Sequence, residues 1–136
     1  MKILGVGTDI VEVLRINNSI KNKSFIKRIF TKSEILNSKT TISKANYFSK
    51  RFAAKEALMK AIGTGFTKGV NFKDISVVND KLGKPNIKYN NKVKKLIISK
   101  FKIKSFNLFL SLSDEKNYSI AFVIIQQNQW LPRNLL

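Results

Sequence analysis

The sequence predicts an α+β fold in which an antiparallel sheet packs on helices. Two observations support this class: short apolar or alternating runs typical of strands, and a long alanine-rich helical segment in the middle of the chain. No internal repeat, low-complexity linker or change in composition divides the 136 residues. We therefore predict a single domain over residues 1–125, followed by a polar tail over residues 126–136 that frays.

The first segment predicts a buried strand over residues 3–8, in which Gly5 and Gly7 indicate the close approach of another backbone. A helix follows this strand. Asp9 lies at the predicted junction and has two interpretations. Its spacing to Glu12 is that of a capping box at the start of the helix, and a carboxylate at the end of a strand is also well placed to bind a metal ion.

Further helices are predicted before the long helical segment. The first ends at about Ile20, and a short second one covers residues 25–30. The run from Thr31 to Glu34 has the spacing of a capping box and opens a third helix. Ser43 is the predicted N-cap of the long helix, which ends at Gly63 or Gly65 because glycine favours helix termini.

The second half of the chain predicts two hairpins separated by a helix. Turn residues between the apolar runs, among them Gly83-Lys84-Pro85, support this division. The predicted elements are a strand over residues 72–78, its partner over residues 87–89, a helix over residues 91–100, and two last strands over residues 106–112 and 118–125.

The composition excludes several kinds of catalysis. The chain has no cysteine and no histidine. Disulfides, thiolate zinc sites, a cysteine nucleophile, a Ser-His-Asp triad and an imidazole base are therefore absent. Any catalysis must use carboxylates, lysines, hydroxyls, backbone amides or a hard metal ion held by oxygen, for which Mg²⁺ is the natural candidate.

The net charge of +18, with only eight acidic residues, predicts an anionic partner. Nucleic acid, an acidic protein, a phosphorylated small molecule and a membrane surface all fit this charge, although part of the excess is a general lysine bias. No apolar run reaches the 18 or so residues that span a bilayer, and the N-terminus lacks the features of a secretory signal. We expect a cytoplasmic protein.

The segment Arg51-Phe-Ala-Ala-Lys-Glu-Ala-Leu-Met-Lys-Ala-Ile-Gly-Thr-Gly65 carries the most informative charges. At helical spacing Glu56 lies at one edge of the apolar stripe, with Lys60 one turn above it, and Lys55 borders the other edge. One interpretation is a solvent-exposed Glu56–Lys60 pair, worth about 0.2–0.5 kcal/mol. The other is a site that binds a phosphate through a metal ion, with the glycine turn allowing a ligand to approach the backbone. The stripe consists of Phe48, Phe52, Met59 and Ile62.

Three stretches together resemble the bacterial holo-acyl-carrier-protein synthases of the 4′-phosphopantetheinyl transferase family. They are Gly5-Val-Gly-Thr-Asp-Ile-Val-Glu12, the segment Arg51–Gly65 and Leu110-Ser-Leu-Ser-Asp-Glu-Lys-Asn-Tyr118, with Leu82-Gly-Lys-Pro85 as a fourth match. The resemblance implies an enzyme that moves the phosphopantetheine arm of coenzyme A onto a serine of an acyl carrier protein. It further implies Mg²⁺, release of adenosine 3′,5′-bisphosphate and a role in fatty acid biosynthesis.

The resemblance also implies roles for individual residues. Asp9 and Glu56 become ligands of Mg²⁺, and Lys60 meets the transferred phosphate. The adenosine bisphosphate end of coenzyme A falls near Arg51, Lys84 and Pro85, and Gly65 is a further coenzyme A contact. The proton of the incoming serine passes to Glu56 or to a water bound by the metal.

Two further implications concern partners. Members of this family form trimers with active sites at subunit interfaces, so the first strand is expected near a neighbouring subunit. Basic positions matching Arg15, Lys27 and Arg28 face the acidic helix of the carrier, although these residues also fit ordinary solvent-exposed helix charges. The turn between the last two strands departs from the histidine-containing form of many members, and Asp114 and Glu115 stand there.

Two rival classes remain at this point. A basic nucleic-acid-binding module agrees with the charge, but no helix-turn-helix, zinc or RNA-recognition motif is present in the sequence. A noncatalytic interaction protein is the other, and it predicts no binding of coenzyme A.

Overall fold

The computed structural model of the chain describes residues 2–66 and 69–128. Within these residues it forms five strands, five α-helices and one 3₁₀ turn. The elements are β1 (Lys2–Glu12), α1 (Val13–Ser19), α2 (Lys23–Ile29), α3 (Lys32–Ser38), α4 (Lys44–Ile62), the 3₁₀ turn (Phe72–Asp74), β2 (Ile75–Asn79), β3 (Pro85–Tyr89), α5 (Asn91–Phe101), β4 (Phe106–Asp114) and β5 (Tyr118–Gln127).

The strands form two antiparallel sheets. Strands β1, β5 and β4 make a three-stranded sheet with β5 in the centre, and β2 and β3 make a separate hairpin. Helix α4 packs across β1 and β5. Its apolar side chains, including all four of the predicted stripe, are buried in one core with the inward-facing residues of β5. The predicted α+β class is confirmed.

Strand β1 is longer than predicted, and this corrects the interpretation of Asp9. Pairing with β5 continues without a break from Gly5 to Glu12, so Asp9 lies opposite Ala121 in the middle of the strand. Glu12 is the N-cap residue of α1 but makes no side-chain cap. The predicted capping box of Asp9 and Glu12 is therefore wrong, because the strand satisfies the backbone groups that a helix start would have left free.

Two other predicted boundaries differ from the structure. Residues 72–74 form a 3₁₀ turn, because the Asp74 carboxylate accepts the backbone N–H of Asn71 and holds the chain in a turn before β2. Strand β5 extends to Gln127, so the first two residues of the predicted tail belong to the sheet. Residues 129–136, the rest of that segment, lie outside the described residues.

Helix α4 begins and ends as predicted. The Ser43 side chain accepts the backbone N–H of Asn46, and Gly63 follows the last turn at φ 88°, a left-handed conformation that glycine adopts without strain. The helix is buried on most of its surface. Lys55, expected at the border of the apolar stripe, is wholly buried. Among residues 2–66 and 69–128, no helix is both long and apolar enough to cross a membrane.

Candidate active site

Strand β1 and helix α4 cross with their backbones in close contact. A Cβ atom on Gly7 would fall on the carbonyl oxygen of Ala57, and one on Gly5 would fall on that of Ala61. Glycine on the strand and alanine on the helix are therefore required by the short separation. Because Asp9 follows Gly7 by two residues, it lies on the same face of β1 and is brought beside α4.

At this crossing the carboxylate of Asp9 accepts a hydrogen bond from Lys60. The Lys60 Nζ lies 2.9 Å from the Asp9 Oδ1, and the two side chains are 56% and 14% exposed. This hydrogen bond and the attraction of the Asp9 charge raise the pKa of Lys60. Lys60 is thus a charged group at the mouth of the site, held by an acid from 51 residues earlier in the chain.

The surface pair of Glu56 and Lys60, which was one of the two sequence interpretations, is not the contact that forms. Within the described part of the chain, the ion pair of Lys60 is with Asp9. Glu56 is half-buried. Burial raises the pKa of Glu56 and the negative charge of Asp9 raises it further, whereas the positive charges of Lys60 and Arg15 lower it. Two acids far apart in sequence therefore meet at one place.

The donor set at this place fits a hard divalent cation. Asp9 and Glu56 offer carboxylate oxygens, and burial together with the nearby charge of Asp9 raises the pKa of Glu56, an effect that a cation between them would oppose. Among the described residues, no three or more Asp or Glu side chains lie close enough together to hold a metal ion. Two carboxylates suit Mg²⁺, which keeps several waters and commonly takes its remaining ligands from substrate phosphates.

Arg51 lies in a second cleft, on the side of α4 that faces α3 and the end of β4. Its guanidinium stacks on the ring of Tyr47 at 3.6 Å, and its Nη1 donates to the Tyr47 carbonyl oxygen at 3.4 Å. Arg51 is buried, and its Nε has no hydrogen-bond partner among the described residues. The cleft has a volume of about 720 Å³, and hydroxyl and amide side chains of Thr40, Thr41, Ser43 and Asn46 line it.

Lys84 and Pro85 lie in a different cleft. Within one chain, this cleft shares no lining residue with the cleft of Arg51. This cleft, of about 370 Å³, lies between β3 and the outer surface of β4 and β5, with Phe109 and Phe122 in its wall. Gly65 has φ 63° and open space on its side-chain position, so a ligand can approach its backbone. The four predicted coenzyme A contacts are thus spread over separate surfaces of the chain.

The three predicted carrier contacts occupy α1 and α2. Arg15 is exposed on α1, near enough to Glu56 for its charge to lower the pKa of that carboxyl. Lys27 and Arg28 are in the last turn of α2, and the Arg28 guanidinium lies 6.0 Å from the centre of the Phe25 ring. The basic positions therefore extend outward from the edge of the site.

Sequence reasoning missed the buried partner of Lys55. Its Nζ donates to the Glu34 Oε1 at 2.7 Å, and both side chains are 0% exposed. The predicted Thr31–Glu34 capping box is present. The Glu34 carboxylate of this capping box has a second role, as the partner of Lys55. Local spacing does not reveal this role, because Lys55 lies 21 residues away. Asp114 lies 3.7 Å from Lys50 in the cleft of Arg51, a contact that the turn pattern did not predict either.

Comparison with known proteins assigns the family. The family profile described as the 4′-phosphopantetheinyl transferase superfamily matches residues 5–123, and the chain belongs to this superfamily. A holo-(acyl-carrier-protein) synthase from Pelagibacter ubique is 61% identical over 127 residues, which cover 93% of this chain and 99% of that protein.

Solved structures of such synthases have the same fold. The enzyme from Neisseria meningitidis is 39% identical, with a TM-score of 0.82 over 93% of this chain and all of that one. The enzyme from Helicobacter pylori, solved in complex with coenzyme A, is 30% identical, with a TM-score of 0.74 over 89% of this chain and 99% of that one.

Proposed function

We propose that this chain is a holo-acyl-carrier-protein synthase that transfers the 4′-phosphopantetheine group of coenzyme A to a serine of an apo acyl carrier protein, with Mg²⁺ held by Asp9 and Glu56. The observation that carries the assignment of the site is the meeting of Asp9, Glu56 and Lys60 at the crossing of β1 and α4. The names of the relatives and the coenzyme A complex of one of them support the reaction. The nucleic-acid alternative has no support from these comparisons.

The reaction needs positioning and charge more than covalent chemistry. The serine hydroxyl oxygen bonds to the β-phosphorus of coenzyme A, and the bond from that phosphorus to the bridging oxygen breaks, which releases adenosine 3′,5′-bisphosphate. When bound, Mg²⁺ supplies positive charge to the pyrophosphate oxygens. Lys60 supplies a second positive charge, since its exposed ammonium lies at the same place.

The proton of the serine hydroxyl passes to Glu56 or to a water beside it. Glu56 is half-buried at the site and offers a carboxylate oxygen that can accept this proton. No histidine exists anywhere in the sequence to take this role.

Arg51 is proposed to bind the adenosine bisphosphate end of coenzyme A. Its Nε has no hydrogen-bond partner in the part of the chain that the structure describes, and its guanidinium is stacked on Tyr47 and so presents fixed donors. A guanidinium held in this way suits bidentate recognition of a phosphate. Gly65 is proposed to offer its backbone to the pyrophosphate, because its side-chain position is open.

A trimer is proposed as the working assembly, in which Lys84 and Pro85 contact coenzyme A bound to a neighbouring subunit. The outer face of the three-stranded sheet, away from α4, carries exposed apolar side chains, among them Val6, Ile10, Phe109, Ile120 and Phe122. An apolar surface of this kind indicates a protein contact. The cleft of Lys84 and Pro85 adjoins this face at Phe109 and Phe122, which supports a shared site at the interface.

The carrier protein is proposed to dock on α1 and α2 through Arg15, Lys27 and Arg28. These side chains are exposed, and the net charge of +18 favours an acidic partner. Arg15 links the docking surface to the site, because its charge acts on Glu56. We place the enzyme in the cytoplasm and in fatty acid biosynthesis, the setting expected of this reaction.

The test of the function is direct. The purified protein is incubated with apo carrier, coenzyme A and Mg²⁺, and the carrier is weighed by mass spectrometry. A gain of one phosphopantetheine group, absent when Mg²⁺ is chelated, supports the proposal. No gain under these conditions would refute it, and failure to bind coenzyme A would favour a noncatalytic role.

A further inference from the structure

Glu34 and Lys55 form a buried ion pair outside the site described above. Besides Glu34, the Lys55 Nζ donates to the carbonyl oxygen of Ile29 at 2.7 Å. The Glu34 Oε1 also accepts the backbone N–H of Thr31 at 2.9 Å, and its Oε2 accepts that of Val77 at 2.9 Å. Among the described residues, the Lys55 ammonium thus donates two hydrogen bonds, and each oxygen of the Glu34 carboxylate accepts at least one.

These bonds connect four separate elements. Lys55 belongs to α4, Ile29 ends α2, Glu34 belongs to α3 and Val77 belongs to β2. The Tyr47 hydroxyl adds a second link from α4, since it donates to the Glu34 carbonyl oxygen at 2.6 Å. Helix α4 is therefore attached by directional polar bonds on the side where it meets α2, α3 and β2.

The contact of α4 with β1 is of another kind. At Gly5 and Gly7 the strand presents no side chain to the helix, and Ala57 and Ala61 present only methyl groups. Such a contact sets the distance between two backbones, and at these two glycines β1 has no side chain that interlocks with those of the helix. The rotation of α4 about its own axis decides where Glu56 points, so contacts elsewhere on the helix must set it.

Lys55 immediately precedes Glu56, so its position around the helix, fixed by the buried ion pair, fixes that of Glu56 about 100° further round. Stability alone does not require charges here, because apolar side chains of similar volume often replace a buried ion pair without loss. We propose that Glu34 and Lys55 are positioning residues that hold the Glu56 carboxylate toward Asp9. The inference rests on the metal site proposed above for Asp9 and Glu56.

The experiment measures binding of Mn²⁺ to the metal-free protein by calorimetry, and thermal unfolding of the same samples. The variants are Lys55→Met, which leaves Glu34 unpaired, and the double variant Glu34→Gln/Lys55→Met, which removes both charges at nearly constant volume. The control is Ile97→Ala, which truncates a buried side chain of α5. Glu56→Gln is measured beside them to test the metal site itself.

We expect the double variant to unfold at a higher temperature than Lys55→Met, yet to bind Mn²⁺ at least about tenfold more weakly than the wild type, as is usual when support of a metal ligand is lost. Ile97→Ala should lower the unfolding temperature but keep the affinity within about twofold, since Ile97 belongs to α5, which is not one of the four elements that the pair joins. Wild-type affinity in the double variant would overturn the proposal. Failure of the double variant to fold, while Ile97→Ala folds, would also overturn it, because the pair would then serve the fold itself. Wild-type affinity in Glu56→Gln would instead refute the proposed metal site.

Discussion

The Lys60 ammonium lies 2.9 Å from the Asp9 carboxylate, although Glu56 lies one helical turn before Lys60 on the same helix. Lys60 therefore balances the charge of Asp9, and Glu56 remains half-buried next to a second acid, which raises its pKa. A divalent cation between the two carboxylates favours the charged forms of both. A metal ion bound there, as proposed, would relieve the repulsion between the two acids.

Replacing Glu56 by glutamine is expected to abolish turnover without harming the fold. A carboxyl whose pKa is raised on folding stabilises the folded chain below its unfolded pKa, and this contribution is lost as pH rises through the folded pKa. At neutral pH the metal-free Glu56→Gln variant should therefore unfold at the same temperature as the wild type or higher. Turnover should fall by at least about 100-fold, because a metal ligand is lost.

The matched control is Glu12→Gln, which removes an exposed carboxylate that makes no side-chain cap. Thermal unfolding with and without Mg²⁺, together with turnover at saturating Mg²⁺, tests whether Glu56 binds the metal. Mg²⁺ should raise the unfolding temperature of the wild type and of Glu12→Gln, but not that of Glu56→Gln. Near-normal turnover in Glu56→Gln would show that the metal has been placed wrongly.

Metal binding is expected to depend on pH through Glu56. A protonated carboxyl does not bind a cation, so the affinity for Mn²⁺ should fall as pH drops through the raised pKa of Glu56, at a higher pH than for an ordinary glutamate. Since the charge of Arg15 lowers that pKa, Arg15→Gln should move the fall to still higher pH. Calorimetric titrations at a series of pH values measure both effects. An affinity that stays constant down to the ordinary range of about 4.3 would contradict the prediction.

Local patterns in the sequence predicted most of the fold. The caps of α4 at Ser43 and Gly63, and the capping box of Thr31 and Glu34, were read correctly because each depends on residues three or four positions apart or on one special backbone angle. The end of β1 was misplaced because pairing with β5, more than 100 residues later, determines where the strand stops. Spacing within β1 contains no information on that partner.

In the candidate site, too, local spacing predicted some features, and contacts between distant parts of the chain determined the others. The spacing of Glu56 and Lys60 on one strip of α4 follows from helix geometry, and Asp9 joined them in the prediction only through the family resemblance. The Asp9–Lys60 pair depends on how closely β1 approaches α4, which only the structure shows. The partner of Lys55 could not be predicted either, because a buried lysine and an exposed one look alike in a helical pattern.

Gly7→Ala tests whether the close crossing of β1 and α4 builds the site. Its Cβ would fall on the backbone of Ala57, which cannot move aside like a side chain. We expect a loss of stability of at least about 2 kcal/mol and a large loss of Mn²⁺ affinity, since the strand carrying Asp9 must shift. Ser99→Ala, at an exposed position of α5 away from that crossing face of β1, is the control for stability. Denaturant unfolding that gave equal midpoints for the two variants would disprove the close contact.

Arg28→Glu tests the docking surface on α1 and α2. Arg28 is exposed in the last turn of α2, where a reversed charge should repel an acidic carrier while leaving the site at Asp9 and Glu56 intact. The KM for the carrier should rise roughly tenfold, with kcat and the KM for coenzyme A little changed.

The control Lys94→Glu makes the same change of charge on the exposed face of α5, so it separates a local effect from a general loss of net charge. Added salt should weaken carrier binding more in the wild type than in Arg28→Glu, because the variant has already lost the attraction that salt screens. Equal effects of Arg28→Glu on both substrates would remove Arg28 from the docking surface, since only the carrier is proposed to contact α2.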